Sequence, residues 1–315
     1  MLQREAVALI KKEKINQNIE WIQVTDCLPV EKQTLKDKYH LTAEMLYYVL
    51  DHHERPRMEY YDDEQLLLII FDVAEPSRFS GDISAEPIGL IMAGDRLFTF
   101  TANQTNFVNQ LLRGIVDKLP DVNRDTISTL DIVFKTLYQL AIQYFDYINN
   151  INSVRTKIQR NLRGKTRKSA INQLLNLQTD LVYFLTSLSA NNDMLTMVKR
   201  RLGKTLSDDD NDALDDVIVE IQQGLSMAQM ANQAAQQVAG AYSNLLDSNL
   251  NSTMKFLTVF SIVLTVPNIV FGFYGENVNL PFMNYAMAWK LTILISFILI
   301  VIVLLIMRFS DFFNR

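Results

Sequence analysis

The chain has 315 residues, 49% hydrophobic and 21% charged, a balance that belongs to folded protein and leaves room for two domains. A formal net charge of −5 carries none of the basic footprint that nucleic-acid binding needs, so no nucleic-acid partner is expected. The single cysteine, Cys27, excludes an intrachain disulfide and a Cys-rich zinc site.

Residues 1–12 hold too short an apolar run for a secretory signal, so the region that follows is expected to stay in the cytosol. Residues 1–120 mix short apolar runs with helical stretches and read as an α/β domain. Strands are expected at 66–73, 88–92 and 97–100, with Pro56, Pro76, Pro87, Gly81 and Gly94 as punctuation.

From Arg124 onward the apolar period becomes helical: Ile127, Leu130, Ile132, Val133, Leu137, Leu140 and Ile142 recur near every 3.6 residues, and 180–202 continue the pattern. Residues 121–205 are expected to form a helical hairpin region. Its strongly basic run at 155–168 reads as the hairpin tip. After a break at 204–212, Ser207 followed by three aspartates is a helix start favoured by capping and by the helix dipole. A helix is expected from about Asp209 to Val266, weakened locally by Gly224 and Gly240, with 206–255 as a stalk. Asp208, Asp209, Asp210, Asp212, Asp215 and Asp216 crowd its beginning. The plain reading of that run is a solvated helix start.

Residues 256–274 contain no charge and are long enough to cross a bilayer. Residues 289–307 form a second span, with Trp289 at the interface and Lys290 able to snorkel outward. The alternative, two buried core helices, is disfavoured because the runs flank one short polar loop (275–288) and only a tail (308–315) follows. Lys255, Arg308 and Arg315 flank the spans while the loop has no Lys or Arg, so the loop is expected outside and both termini in the cytosol.

Two helices cannot enclose a water-filled path, so conduction would require a ring of identical subunits. Steps of three and four residues connect Gly240, Asn244, Asp247, Asn251, Met254, Thr258, Ser261, Thr265, Asn268 and Gly272 along one helix face. Small residues also let helices pack, and Ser and Thr can bond to their own backbone. A carboxamide such as Asn268 in lipid needs partners, however, and the polar face runs on beyond the span, so it reads as a pore lining. Pro267 is expected to kink the helix or free a carbonyl near mid-membrane. Met254 and Leu257 are candidates for an apolar constriction that closes by dewetting.

The first span closes in Pro267-Asn-Ile-Val-Phe-Gly-Phe-Tyr274-Gly275-Glu276-Asn277. This resembles the signature of the CorA-type magnesium and cobalt transporters, a proline-containing span ending in Tyr-Gly-Met-Asn. His53-Glu-Arg-Pro-Arg-Met-Glu-Tyr-Tyr61, followed by acidic residues and an apolar run, resembles the same family's soluble domain, as does the segment from Pro87 to Phe100.

The resemblance implies a homopentamer with a funnel-shaped α/β cytosolic domain, a long helical stalk and two C-terminal spans in a plasma or inner membrane. It places Tyr274, Gly275, Glu276 and Asn277 at the selectivity turn, where the Gly275 carbonyl and Asn277 ring the outer mouth and hold a hydrated cation. Magnesium dehydrates reluctantly, so neutral oxygen acceptors can bind its water shell without stripping it. Gly275 would allow the backbone turn that aims a carbonyl inward. Glu276 departs from the family's methionine; it either forms an acidic ring facing solvent or ligates metal directly. The resemblance also implies regulatory magnesium at the stalk start, with Asp216 and Asp212 as its ligands. It further places the basic 155–168 run near the inner membrane face, where anionic lipid would attract it.

The function expected is passive influx of divalent cations, magnesium first with cobalt and nickel, gated by cytosolic divalent cation. A zinc or other metal transporter of the same superfamily and a membrane-anchored receptor or scaffold are the alternatives. No organic cofactor and no enzyme are expected. Gly164-Lys-Thr and Gly203-Lys-Thr lack the glycine five positions earlier that a phosphate loop needs, and His52-His53 are adjacent instead of one helical turn apart.

Overall fold

The computed structural model describes residues 10–62, 65–75, 85–119, 127–161, 167–276, 281 and 287–309, divided between two compact units, Met1–Ala239 and Gly240–Arg315. In the first unit six strands form one sheet: β1 (Ile10–Lys14), β2 (Glu20–Thr25), β3 (Arg57–Tyr61), β4 (Leu66–Ala74), β5 (Ala85–Ala93) and β6 (Arg96–Thr101). Their order is β1-β2-β6-β5-β4-β3; β2 and β6 run parallel and every other pair is antiparallel. The three strands expected from the sequence are β4, β5 and β6, each slightly longer than its apolar run. Helices α1 (Pro29–Tyr39) and α2 (Ala43–Leu50) follow β2; α3 (Phe107–Asp117), α4 (Thr129–Asn161), α5 (Arg167–Leu202) and α6 (Asp208–Tyr274) follow the sheet. The last described helix, α7 (Ala288–Phe309), lies in the second unit.

Strand β4 reads as unbroken apolar sequence because both faces of the sheet are covered. Leu66, Leu68 and Ile70 join Ile22, Val24, Leu35, Met45, Leu46, Phe98 and Phe100 in the core beneath α1 and α2. Leu67, Ile69, Phe71 and Val73 alternate to the other face, where α4 and α5 pack, and all four are buried.

The long helices dock through a buried polar joint on β4. Strand β3 stops opposite Ile70, leaving the next outward-facing peptide groups of β4 without a strand partner. Asn191 of α5 takes over: its Oδ1 accepts from the Asp72 N–H at 3.0 Å and its Nδ2 donates to the Asp72 carbonyl at 2.9 Å. Tyr144 of α4 donates to the same carbonyl at 3.0 Å. Buried backbone groups must be paired, and here one carboxamide imitates the missing strand. The Asp72 carboxyl is pushed up to about 6 by burial, against the hydrogen bond from Ser187, and the nearby Glu86 carboxylate raises it further.

Gly224 corrects its expected role as a weak point in the helix. A Cβ there would lie 3.2 Å from Phe145 of α4 and 3.4 Å from Leu188 of α5. The glycine is where three helices come close, so its propensity cost accompanies tight packing. Nothing lies within 4 Å of the equivalent point at Gly240.

Candidate ion pathway and acidic helix start

The acidic start of α6 is not uniform. Asp210 is buried, and its two carboxylate oxygens accept from Ser128 at 2.8 Å and Ser207 at 2.7 Å. Each serine hydroxyl oxygen in turn accepts a first-turn N–H, Ser128 from Asp131 at 2.9 Å and Ser207 from Asp210 at 3.1 Å. One carboxylate thus ties the N-caps of α4 and α6 together. Asp215 pairs with Lys199 of α5. Asp208, Asp209, Asp212 and Asp216 remain exposed. Asp212 and Asp216 lie one turn apart on the same face. Among the described residues, no three His, Cys, Asp or Glu side chains are grouped to hold a metal.

In the second unit, α6 and α7 are long and apolar enough to cross a membrane, and their most apolar windows are 6% and 11% buried. That exposure is the opposite of what a core helix shows. Between residues 256 and 273 of α6 the covered positions are Val259, Ile262, Val263, Val266, Pro267 and Val270, a single face at steps of three and four. On α7 they are Leu291, Thr292, Ile295, Ser296, Ile300, Val303, Leu304 and Met307, on one broad side of the helix. A second face of α6 exposes Phe256, Phe260, Leu264 and Phe271, bulky apolar groups suited to lipid. The third exposes Asn251, Met254, Thr258, Ser261, Thr265, Asn268 and Gly272, with Leu257 at its border. The polar face therefore lies away from both the hairpin contact and the bulky face.

The hydroxyls on that polar face have a defined polarity. Thr258 donates to the Met254 carbonyl at 2.9 Å and Thr265 to the Ser261 carbonyl at 2.7 Å. Spending their protons on the helix leaves oxygen lone pairs facing outward. Oxygen acceptors of this kind are what the water hydrogens around a hydrated cation require. Pro267 sits inside a helix that continues to Tyr274. As Pro267 has no N–H, the Val263 carbonyl loses its intrahelical donor.

At the turn, the Gly275 N–H donates to the carbonyls of Phe271 at 2.8 Å and Gly272 at 3.2 Å. Among the described residues Gly94 is the glycine with positive φ, so Gly275 does not draw on left-handed freedom. Its bare Cα serves close approach instead: a Cβ would stand 3.0 Å from the Phe271 carbonyl oxygen. Glu276 is exposed. Asn277 lies outside the described residues, as do residues 162–166 of the basic run. At the start of α7, Lys290 reaches over the Trp289 ring, 5.4 Å from its centroid, the pairing of apolar body and charged tip found at a membrane interface.

Residues 16–309 match the family described as CorA-like Mg2+ transporter protein. The cobalt/magnesium transport protein CorA of Methanocaldococcus jannaschii is 24% identical over 291 residues, covering 92% of this chain and 90% of that one. Its complete structure superposes with a TM-score of 0.79 over the same shares of the two chains. The full-length CmaX protein is similar at TM-score 0.72 and 16% identity, covering 94% of this chain and 90% of that chain. The ZntB cytoplasmic domain of Vibrio parahaemolyticus is similar at TM-score 0.56 and 11% identity, covering 77% of this chain and all of that one. At such identities the structural likenesses establish the fold alone.

Proposed function

The chain belongs to the CorA-like Mg2+ transporter family, and from that premise we propose a homopentameric channel that passes hydrated magnesium inward, down the membrane potential. It is a transporter of divalent cations and not an enzyme. In this reading both termini are cytosolic, and five copies of α6 turn their polar faces to a common axis. The observation that carries it is the separation of faces on α6, since a receptor or scaffold has no use for an exposed line of acceptors from Asn251 to Gly272.

Entering cations meet Gly275, Glu276 and Asn277, with Tyr274 closing the helix behind them. Neutral oxygens at Gly275 and Asn277 hold the outer water shell, and Glu276 adds an acidic ring that raises the local cation concentration. Thr265, Ser261 and Thr258 then pass the hydrated ion from acceptor to acceptor, with Asn268 above and Asn251 below. Met254 and Leu257 form the apolar constriction that closes the path. Asp212 and Asp216 bind regulatory magnesium against a neighbouring copy, relieving their repulsion and favouring the closed ring; loss of cytosolic magnesium releases it. The basic segment 155–168 contacts anionic lipid.

Glu276 also supports a second reading, a transporter for zinc or another divalent metal that accepts a carboxylate ligand. Uptake into liposomes separates them. Magnesium uptake by the wild type is expected to exceed zinc uptake, and Glu276→Met to lower both by only several-fold, as loss of an electrostatic ring would. Zinc outrunning magnesium in the wild type, with the order reversed in Glu276→Met, would establish the second reading. Asp212→Ala with Asp216→Ala is expected to abolish closure by cytosolic magnesium; unchanged magnesium sensitivity would remove these residues from regulation.

A further inference from the structure

A cluster of cations gathers around Tyr39 at the end of α1, in the first unit. Lys12 Nζ lies 5.1 Å from the Tyr39 ring centroid, Lys38 Nζ 5.7 Å and Arg96 Cζ 5.7 Å. The strand registers bring in a fourth: Lys14 pairs with Glu20, which pairs with Arg96, so all three share a sheet face with Lys12. Glu20 meets Arg96 at 3.6 Å. Glu13, by alternation on the opposite face of β1, bonds to Arg113 and Gln23. Among the described residues, Lys12, Lys14, Lys38 and Arg96 thus gather with one carboxylate, Glu20. Lys38 is held below its ordinary range, chiefly because Lys12 stands within hydrogen-bonding reach.

Lys36 and Lys38 occupy the last turn of α1, where cations suit the helix dipole. That accounts for Lys38 but not for the convergence of strand residues on it. Nor does it account for the phenol. Tyr39 is 8% exposed, its ring packs edge-on against Phe98 at 5.2 Å, and its hydroxyl is buried without a hydrogen-bond partner. The hydroxyl is carried by the same ring that the three cations approach, and burial and Glu20 push it up from the ordinary phenol value while Lys38 and Arg96 pull against them. A buried O–H with no acceptor is costly to keep, and like charges gathered beside it add to the cost.

We infer that Lys12, Lys14, Lys38, Arg96 and the Tyr39 hydroxyl form a binding site for an anion bearing phosphoryl oxygens and at least two negative charges. Such a ligand supplies an acceptor for the phenol and neutralises ammonium groups that otherwise repel. Lys12, Lys14 and Lys38 are exposed and flexible enough to open over it. A monocarboxylate would leave most of the excess charge uncompensated. The phosphoryl group can come from a soluble phosphate or from a phospholipid headgroup, and the site's chemistry is the same for both.

Full-length protein in uncharged detergent, at ~0.15 M salt to screen non-specific attraction and with divalent cations chelated, is titrated calorimetrically with inorganic pyrophosphate. A parallel titration uses a short-chain phosphatidic acid below its micelle concentration. Saturable binding is expected. Tyr39→Phe keeps the ring and removes only the hydroxyl, and should weaken binding by about five-fold. Lys12→Gln with Lys38→Gln should weaken it by at least about ten-fold, and in the unliganded protein neither change should lower the thermal midpoint, since each removes a cost to the fold. Sensitivity to these variants with pyrophosphate identifies a soluble ligand, and with phosphatidic acid alone a headgroup; either supports the site. No saturable binding of either probe, or binding that Tyr39→Phe and the lysine pair leave unchanged, overturns it.

Discussion

Two carboxyl groups withdrawn from water, buried Asp210 and half-buried Asp72, have opposite consequences in this fold, and neighbours decide which. Asp210 accepts from two serine hydroxyls and joins two helix caps, so its charge is used. Asp210→Ala should destabilise the first unit by about 2 kcal/mol, the loss of charge-assisted bonds and of the caps they orient, read as a lower thermal midpoint. Asp72 is raised to about 6 mainly by desolvation, so its ionised form is disfavoured in the fold. An unfolded aspartate titrates near 3.8, so the penalty is absent below that pH, grows as pH rises toward about 6, and is complete above it. Asp72→Asn should therefore raise stability at pH 7.5 by roughly 2 kcal/mol and leave it little changed at pH 4. Melting curves at the two pH values check the sign; equal shifts at both would contradict it. Neither role was legible in the sequence, where Asp210 is one aspartate of six in a crowded run and Asp72 one polar residue in an apolar strand. Partners such as Ser128 and Asn191 are remote in the chain, and remoteness is what a local reading misses.

Helices and central strands were legible because their signals are local. Strand β4 is apolar on both faces, and α6 starts at a serine with aspartates behind it and extends without proline to residue 266. Edge strand β1, Ile-Lys-Lys-Glu-Lys, has no apolar alternation to read, since its place in the sheet comes from pairing with β2. Gly224 shows the limit of propensity: a residue that weakens an isolated helix here allows three helices to meet. Gly224→Ala should cost about 1–3 kcal/mol through overpacking against Phe145 and Leu188, a stability loss where helix propensity alone predicts a gain. In the second unit, the period of polar residues drew a polar face along α6, and the exposures set that face and the bulky apolar one together apart from the covered positions. What the period could not supply is the direction of the threonine protons, which determines that the face offers acceptors. Asn268→Leu should abolish cation uptake while leaving assembly size unchanged, as checked by flux and by light scattering; intact flux would remove Asn268 from the pathway.

At the scale of the molecule, a mixed sheet with long helices and a C-terminal hairpin is the architecture of the CorA-like Mg2+ transporter family. The proposed oligomer follows from the chain's own arithmetic, because a two-helix hairpin with one acceptor face becomes a pathway only in a closed ring. The most specific resemblance read from the sequence was the turn after the first span, whose Glu276 is exposed. The central claim is that a purified ring of this chain alone conducts hydrated divalent cations. Magnesium uptake into sealed liposomes containing only this protein, under an inside-negative potential, tests it most directly. Uptake should rise with the potential and be lost in Asn268→Leu; no flux of magnesium, cobalt, nickel or zinc through correctly assembled protein would rule out the pathway.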